Sequence, residues 1–227
     1  MQIETRSITQ HSLYKFDVAA TRINHYNQNN QRIKMAAASD MNLKKSGTNL
    51  DTTQLLLKAI DFAAIKHKDQ RRKDPNKTPY INHPIGVAQI ISKEANISDI
   101  DILIGAVLHD TVEDTETTLD EIEEVFGSKI RIIVDEVSDD KLKSKEERKQ
   151  AQIDKSPFVS YEAKIVKLAD KLYNLRDLER QTPEGWTEAR VQEYFVWASK
   201  VCSSIRGVCK PLDKKLDELF TNRDIVL

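Results

Sequence analysis

The chain is poor in the residues from which disulfide scaffolds and membrane spans are made. Its 227 residues include two cysteines, six glycines and six prolines. Cys202 and Cys209 match no CxxC zinc spacing, and two thiols in a chain of this size point to a reducing compartment rather than a disulfide framework. No apolar run approaches the length needed to cross a bilayer, and the N-terminus lacks a secretory apolar core. The formal net charge is −1, without the basic excess expected of a nucleic-acid-binding domain. The chain reads as soluble and cytoplasmic, with neither a membrane nor a nucleic acid as partner.

What is present is charge, at 31% of residues, and helical periodicity. The length suits one domain with a real core, or one domain plus a tail. Residues 1–48 stand apart: they hold Asn27-Gln28-Asn29-Asn30-Gln31 and Ala36-Ala37-Ala38, and no sustained apolar period. Seven basic residues against three acidic ones give this stretch a surplus of four, which leaves −5 on the remainder. It reads as a disordered extension. The basic surplus also matches a mitochondrial presequence, although Glu4 and Asp17 count against one, and Met35 offers an alternative start.

Residues 49–227 read as one all-α domain of roughly eight to nine helices, with no hairpin signal and no internal repeat. Leu55, Leu56, Ala59, Ile60 and Ala63 form a first stripe behind Thr52 or Thr53 as cap. Pro84 is placed to open a second helix at its first position, leaving His83 just outside it. Ser98-x-x-Asp101 resembles a capping box for the helix that ends near His109-Asp110. Thr118, Ser144, Ser160 and Thr187 are expected to cap further helices, with stops at Gly127 and Gly207, and Pro211 opens the last. The final helices carry enough Leu and Phe to pack internally or to pair with a second copy in a homo-oligomer.

The chemistry concentrates in Gly105-Ala106-Val107-Leu108-His109-Asp110-Thr111-Val112-Glu113-Asp114. An apolar run leads into an imidazole and then three carboxylates, and a buried carboxylate is costly unless paired or bound to a metal. His83 and Asp170 could complete a mixed set of two imidazoles and two carboxylates, which suits manganese, iron or zinc better than calcium. Adjacent ligands such as His109 and Asp110 can reach one ion only from a helix end or an irregular turn. Such a site leaves coordination positions for water and substrate. Glu113 and Asp114, three and four residues past Asp110, could orient or deprotonate the attacking water or protonate a leaving oxygen.

Two basic segments, Lys66 to Lys77 and Lys141 to Lys149, together with Arg190 and Tyr194 four residues apart, fit an anionic substrate, most simply a phosphate ester. Each signal also has a plainer reading: a satisfied core histidine, an acidic helix end, a solvated loop. Asp170 with Lys167, Asn174 and Asp177 forms a polar stripe that ordinary amphipathicity would also produce.

Five blocks in order then carry a resemblance. They are Gln70-Arg71-Arg72-Lys73-Asp74, Thr78-Pro79-Tyr80-Ile81-Asn82-His83-Pro84, Leu108-His109-Asp110-Thr111-Val112-Glu113-Asp114-Thr115, Lys167-Leu168-Ala169-Asp170-Lys171-Leu172-Tyr173-Asn174-Leu175 and Thr182-Pro183-Glu184-Gly185-Trp186. From about residue 49 onward the chain resembles HD-domain metal-dependent phosphohydrolases, and among them the small stand-alone metazoan relatives of the RelA/SpoT hydrolase domain. The resemblance implies one divalent ion, usually Mn²⁺, held by His83, His109, Asp110 and Asp170. It implies Glu113 and Asp114 as the catalytic carboxylates, Arg72 and Lys73 near the nucleotide base, and Asn174 in the substrate pocket. Lys145, Arg190 and Tyr194 match positions associated with phosphate and ribose. The family reaction removes the 3′-pyrophosphate of guanosine 3′,5′-bis(diphosphate), ppGpp. The metazoan branch is also credited with removing the 2′-phosphate of NADPH. A non-catalytic nucleotide-binding protein on the same fold is the third reading. The chain has no room after the hydrolase region for the synthetase domain of the long relatives.

Overall fold

The computed structural model describes residues 51–226; the N-terminal stretch 1–48 and Met35 lie outside them. Among the described residues there are nine α-helices of at least eight residues, one single-turn α-helix and one short 3-10 helix (Ser156–Phe158), with no strands beyond one isolated bridge. In chain order they are α1 (Thr52–Lys66), α2 (Asn82–Lys93), α3 (Ile100–Leu108), α4 (Thr111–Asp114), α5 (Leu119–Phe126), α6 (Ser128–Val137), α7 (Lys145–Lys155), α8 (Tyr161–Arg180), α9 (Glu188–Ser204) and α10 (Lys210–Thr221).

The caps explain most of the boundaries. Ser144 and Glu147 close a reciprocal capping box at α7, while Thr118, Ser160 and Thr187 accept backbone N–H groups at α5, α8 and α9. Three expectations need correction. The α1 cap is Asp51, one residue before the threonines: its Oδ1 accepts from Gln54 N at 2.8 Å, and Gln54 Oε1 accepts from Asp51 N at 3.0 Å. A carboxylate there also faces the positive end of the helix dipole. The α3 cap is Asp99 rather than Ser98, accepting from Asp101 and Ile102. His83 lies inside α2, because a tight turn through Tyr80 starts the helix at Asn82: the His83 N–H bonds Tyr80 O at 2.8 Å. Pro84 is tolerated because first-turn N–H groups have no intrahelical acceptor.

The core forms around α3 and α8. In α3, Ile102, Ile104, Gly105, Ala106, Val107 and Leu108 are all buried, and the helix packs against α1, α2, α6 and α8. Gly105 permits the close approach of α6, since a Cβ there would come within 2.6 Å of Ile133 Cγ2. One buried cluster joins α1, α3, α5 and α6; the other joins α2, α8, α9 and α10. Each fully buried Leu, Ile or Phe contributes roughly 1.5–3 kcal/mol, and α8 alone supplies Leu168, Leu172 and Leu175 at zero exposure. Leu212, Leu216 and Phe220 of α10 are buried within the chain.

Candidate active site

The pocket is lined from α2, α6, α7, α8, α9 and the α3–α4 junction, and its lining includes His83, Asp110, Glu113, Asp170, Asn174 and Tyr194. Ligand atoms of His83, His109 and Asp170 fall within 4.8 Å of one another. Asp110 joins them: its Oδ2 is 2.9 Å from His109 Nε2 and 3.4 Å from His83 Nε2. Asp170 Oδ1 is 3.2 Å from His83 Nε2 and 3.8 Å from His109 Nε2. His109 and Asp110 can converge, although adjacent, because the chain breaks there. His109 is the C-cap of α3, and Asp110, at φ −98° and ψ −4°, starts the one-turn helix α4.

The donor set fits a divalent cation. His109 Nδ1 lies 2.7 Å from the Ala106 carbonyl, which can only accept, so that nitrogen carries the proton. Nε2 is left with a lone pair facing carboxylate oxygens, buried and without an aligned hydrogen bond. Two lone pairs at 2.9 Å repel unless a proton or a cation lies between them. Without a cation, burial would push His109 down, but Asp110 and Asp170 outweigh it and hold the imidazole well above its usual range. A divalent ion held there by Nε2 and the two carboxylates would take the place of that proton. The second contacts are set as well. Tyr80 Oη donates to Asp110 Oδ2 at 2.6 Å, and burial together with the Asp110 charge pushes the phenol up, keeping it a donor. Asn174 Nδ2 and Lys171 Nζ donate to Asp170 at 2.6 and 2.8 Å. The His83 ring is boxed edgewise by Tyr80, His109 and Tyr173. Gly86 makes room for that box, since a Cβ there would come within 2.1 Å of the Tyr173 ring.

The helical turn of α4 carries Glu113 and Asp114 onward from Asp110. Burial pushes the Glu113 carboxyl up to about 7, with the charges of Asp139, Asp110 and Asp114 adding to it. One oxygen accepts the Asp139 N–H at 3.1 Å, and the other faces Arg148 at 3.3 Å. Asp114 lies outside the pocket lining and is held by a relay. His67 Nδ1 contacts Gln70 Oε1 at 2.6 Å, and Gln70 Nε2 donates to Asp114 Oδ2 at 2.8 Å. The His67 ring also packs on Tyr80, with centroids 5.0 Å apart.

The remaining sequence-derived residues divide in two. Asn174 and Tyr194 line the pocket. Arg72 reaches it through Asn174, donating to Oδ1 at 3.0 Å, to Asp177 at 2.6 Å, and lying over the Tyr80 and Tyr173 rings. Arg190 stacks on Trp186 at 4.2 Å, beside a run of rings through Tyr194 to Trp197. Lys73 and Lys145 are exposed and do not line the pocket. Sequence reasoning missed Tyr80, Gln70, His67 and Lys171 as partners of the site. Tyr80, Gln70 and Lys171 lie within or beside the matched motif blocks, but no spacing rule shows that Tyr80 would meet Asp110 or that Gln70 would meet Asp114. No helix is long and apolar enough to cross a membrane among the described residues.

A model of the HD domain family matches residues 59–199, more than half of the chain. The protein named guanosine-3′,5′-bis(diphosphate) 3′-pyrophosphohydrolase MESH1 from Xenopus tropicalis is 60% identical over 173 residues, 76% of this chain and 97% of that protein. The Homo sapiens protein of the same name is 59% identical over 172 residues, 76% of this chain and 96% of its own. A solved structure described as a metazoan ortholog of SpoT that hydrolyzes ppGpp superposes with a TM-score of 0.75 at 46% identity, covering 80% of this chain and all of that one. With its histidines and aspartates converging on one point, the chain belongs to the HD-domain family and, within it, to the MESH1 group.

Proposed function

We propose that this chain is a metal-dependent ppGpp 3′-pyrophosphohydrolase. The observation that carries the reading is the convergence of His83, His109, Asp110 and Asp170 on one point with Glu113 one turn away. The names of the relatives point to the same substrate. Manganese is the proposed ion, in keeping with two nitrogen and two oxygen donors. When bound, such an ion lowers the pKa of water and polarises a phosphoryl oxygen.

The chain's own groups do the rest. Glu113, with a proton affinity close to neutrality, takes the proton from the attacking water. The water oxygen bonds to the phosphorus on the 3′-oxygen, the P–O3′ bond breaks, and the 3′-oxygen leaves with a proton, giving GDP and pyrophosphate. Asp114, anchored on one oxygen by Gln70, is the second carboxylate of that proton exchange. Asn174 and Tyr194 hold the ribose side of the substrate. Arg72, lying over the Tyr80 and Tyr173 rings, offers a guanidinium face on which a purine can stack. Arg190, Lys73 and Lys145 steer the remaining phosphates from the mouth.

Purified protein with Mn²⁺ is expected to convert ppGpp to GDP and pyrophosphate, and His109→Ala to lower the rate by roughly 10³-fold or more by removing a ligand. A wild type inert with metal, or an active His109→Ala variant, overturns the reading. The site accommodates a ribose phosphate without dictating which hydroxyl carries it, so kcat/KM is measured on NADPH in parallel. Binding of ppGpp without turnover supports the non-catalytic alternative instead.

A further inference from the structure

Two lysines are buried in α8 beside the metal ligands, and they are used differently. Lys171 is 5% exposed; its Nζ meets Asp170 Oδ2 at 2.8 Å and lies 4.8 Å above the Trp197 ring. Lys167, one turn earlier, is 7% exposed and lines the same pocket, yet its Nζ makes no hydrogen bond or ion pair with any described residue. The charges that act on it most strongly are Lys171, Asp139, Asp170 and Glu113. Burial and the neighbouring ammonium of Lys171 push its own ammonium down to about 8. A buried, unpaired cation is costly, and folding alone gives no reason to keep one. A methionine of the same reach would fill the space without that cost. What its ammonium lacks is an anion in direct contact, and the pocket beside it is where the phosphoryl group must lie to meet both the metal ligands and Glu113.

We infer that the Lys167 ammonium is a substrate-contacting group that binds the phosphate oxygens of the pyrophosphoryl unit undergoing attack. The inference rests on reading this pocket as a phosphohydrolase site. The geometry is consistent with it in two ways. Lys167 shares a helix face with Asp170, three residues on, so the cation and the metal ligand border one volume. And Lys171, its nearest equivalent, is neutralised by Asp170 and cannot serve as the free cation. Charge-assisted hydrogen bonds to phosphate are the strong kind, and the low dielectric of a buried site strengthens them further.

The test titrates inorganic pyrophosphate into the full-length, metal-loaded protein by calorimetry, for wild type, Lys167→Met and Lys167→Arg. Thermal melting is recorded for each without ligand. The methionine variant is expected to bind pyrophosphate roughly ten- to a hundredfold more weakly, with metal content unchanged and a melting temperature equal to or above wild type. The arginine variant is expected to retain most of the binding. Wild-type affinity in Lys167→Met overturns the proposal. So does a lowered melting temperature with binding that arginine fails to restore, because that marks a structural lysine. The hydrolase reading fails separately: a wild type that binds pyrophosphate through Lys167 but leaves ppGpp intact refutes the activity and keeps the anion site.

Discussion

Helix α3, which leads into the pocket residue Asp110, and helix α7, which lines the pocket through Gln152, are built in opposite ways. α3 is buried along six of its nine residues and leads directly into His109 and Asp110 at its C-terminal end. α7 has no buried residue at all. It is held over the pocket by polar contacts: Gln152 to Asp139 at 2.8 Å, Trp197 Nε1 to the Lys149 carbonyl at 3.0 Å, and Arg148 to Glu113 at 3.3 Å. The difference separates two tasks. Atoms whose positions must not drift hang from the apolar core, where packing density penalises displacement. The cover is solvated and carries the charges that meet a soluble anion.

The sharpest way to test that division is at its border, Glu113. Its carboxyl belongs to the core side by position and to the cover by its Arg148 contact. Glu113→Gln is expected to lower kcat by about 10²–10⁴-fold, the usual worth of a positioned acid–base group. The wild-type rate should climb with pH as the carboxyl ionises, since the base form exists above the pKa and is lost below it. Burial and the neighbouring carboxylates set that limb near 7, and a bound cation, which favours the carboxylate, moves it lower. The same variant should gain stability above neutral pH. Between the ordinary value of 4.5 and about 7 the folded state keeps a proton that the unfolded chain releases, so wild-type stability falls as pH rises through that window. pH–rate profiles and melting curves on both proteins check the two halves. A variant that is slower but no more stable would place Glu113 with the ion-paired cover.

A smaller effect is expected one contact further out. Gln70→Ala cuts the relay from His67 to Asp114 and should lower kcat roughly tenfold, as outer contacts of a reaction centre commonly do. KM and metal content should hold. Steady-state kinetics with metal analysis decide it, and a rise in KM alone would assign Gln70 to binding.

The least effect belongs to the rim. Arg190→Ala and Lys145→Ala should raise KM with kcat steady, roughly threefold for the exposed Lys145, consistent with the small worth of solvated charges, and more for Arg190, which is held over the Trp186 ring. Both effects should shrink in high salt. Equal, salt-insensitive losses would erase the distinction between core and cover.

The same division governs what could be read before the fold was known. The helix pattern was legible because the stripes of α1, α6, α8 and α10 repeat at helical spacing and because Ser144, Ser160, Thr118 and Thr187 have short-range geometry. The four residues expected as ligands stood out in their motif blocks, and the fold brings all four together. Boundaries failed where two candidate caps stood side by side, as with Asp51 before Thr52 and Asp99 after Ser98: nothing local says which carboxylate or hydroxyl the chain will choose. His83 was expected outside its helix because a residue before proline prefers extended angles, a preference overridden by the turn at Tyr80. Contacts such as Tyr80 to Asp110 or Gln70 to Asp114 join positions far apart in sequence, and they become visible only once the isolated bridge between Arg71 and Pro79 has folded that loop against α4.

The break in the chain at His109-Asp110 has a mechanical consequence. It lets one short buried segment provide half of a four-point grip whose other members are His83 in α2 and Asp170 in α8. Both cysteines are free, so no covalent link ties these helices together. An ion seated among them would act as the missing cross-link, a knot that closes two long loops of chain at once and makes the melting temperature depend on metal concentration. For this protein the supply of its ion would regulate how much folded enzyme exists as well as how fast it works.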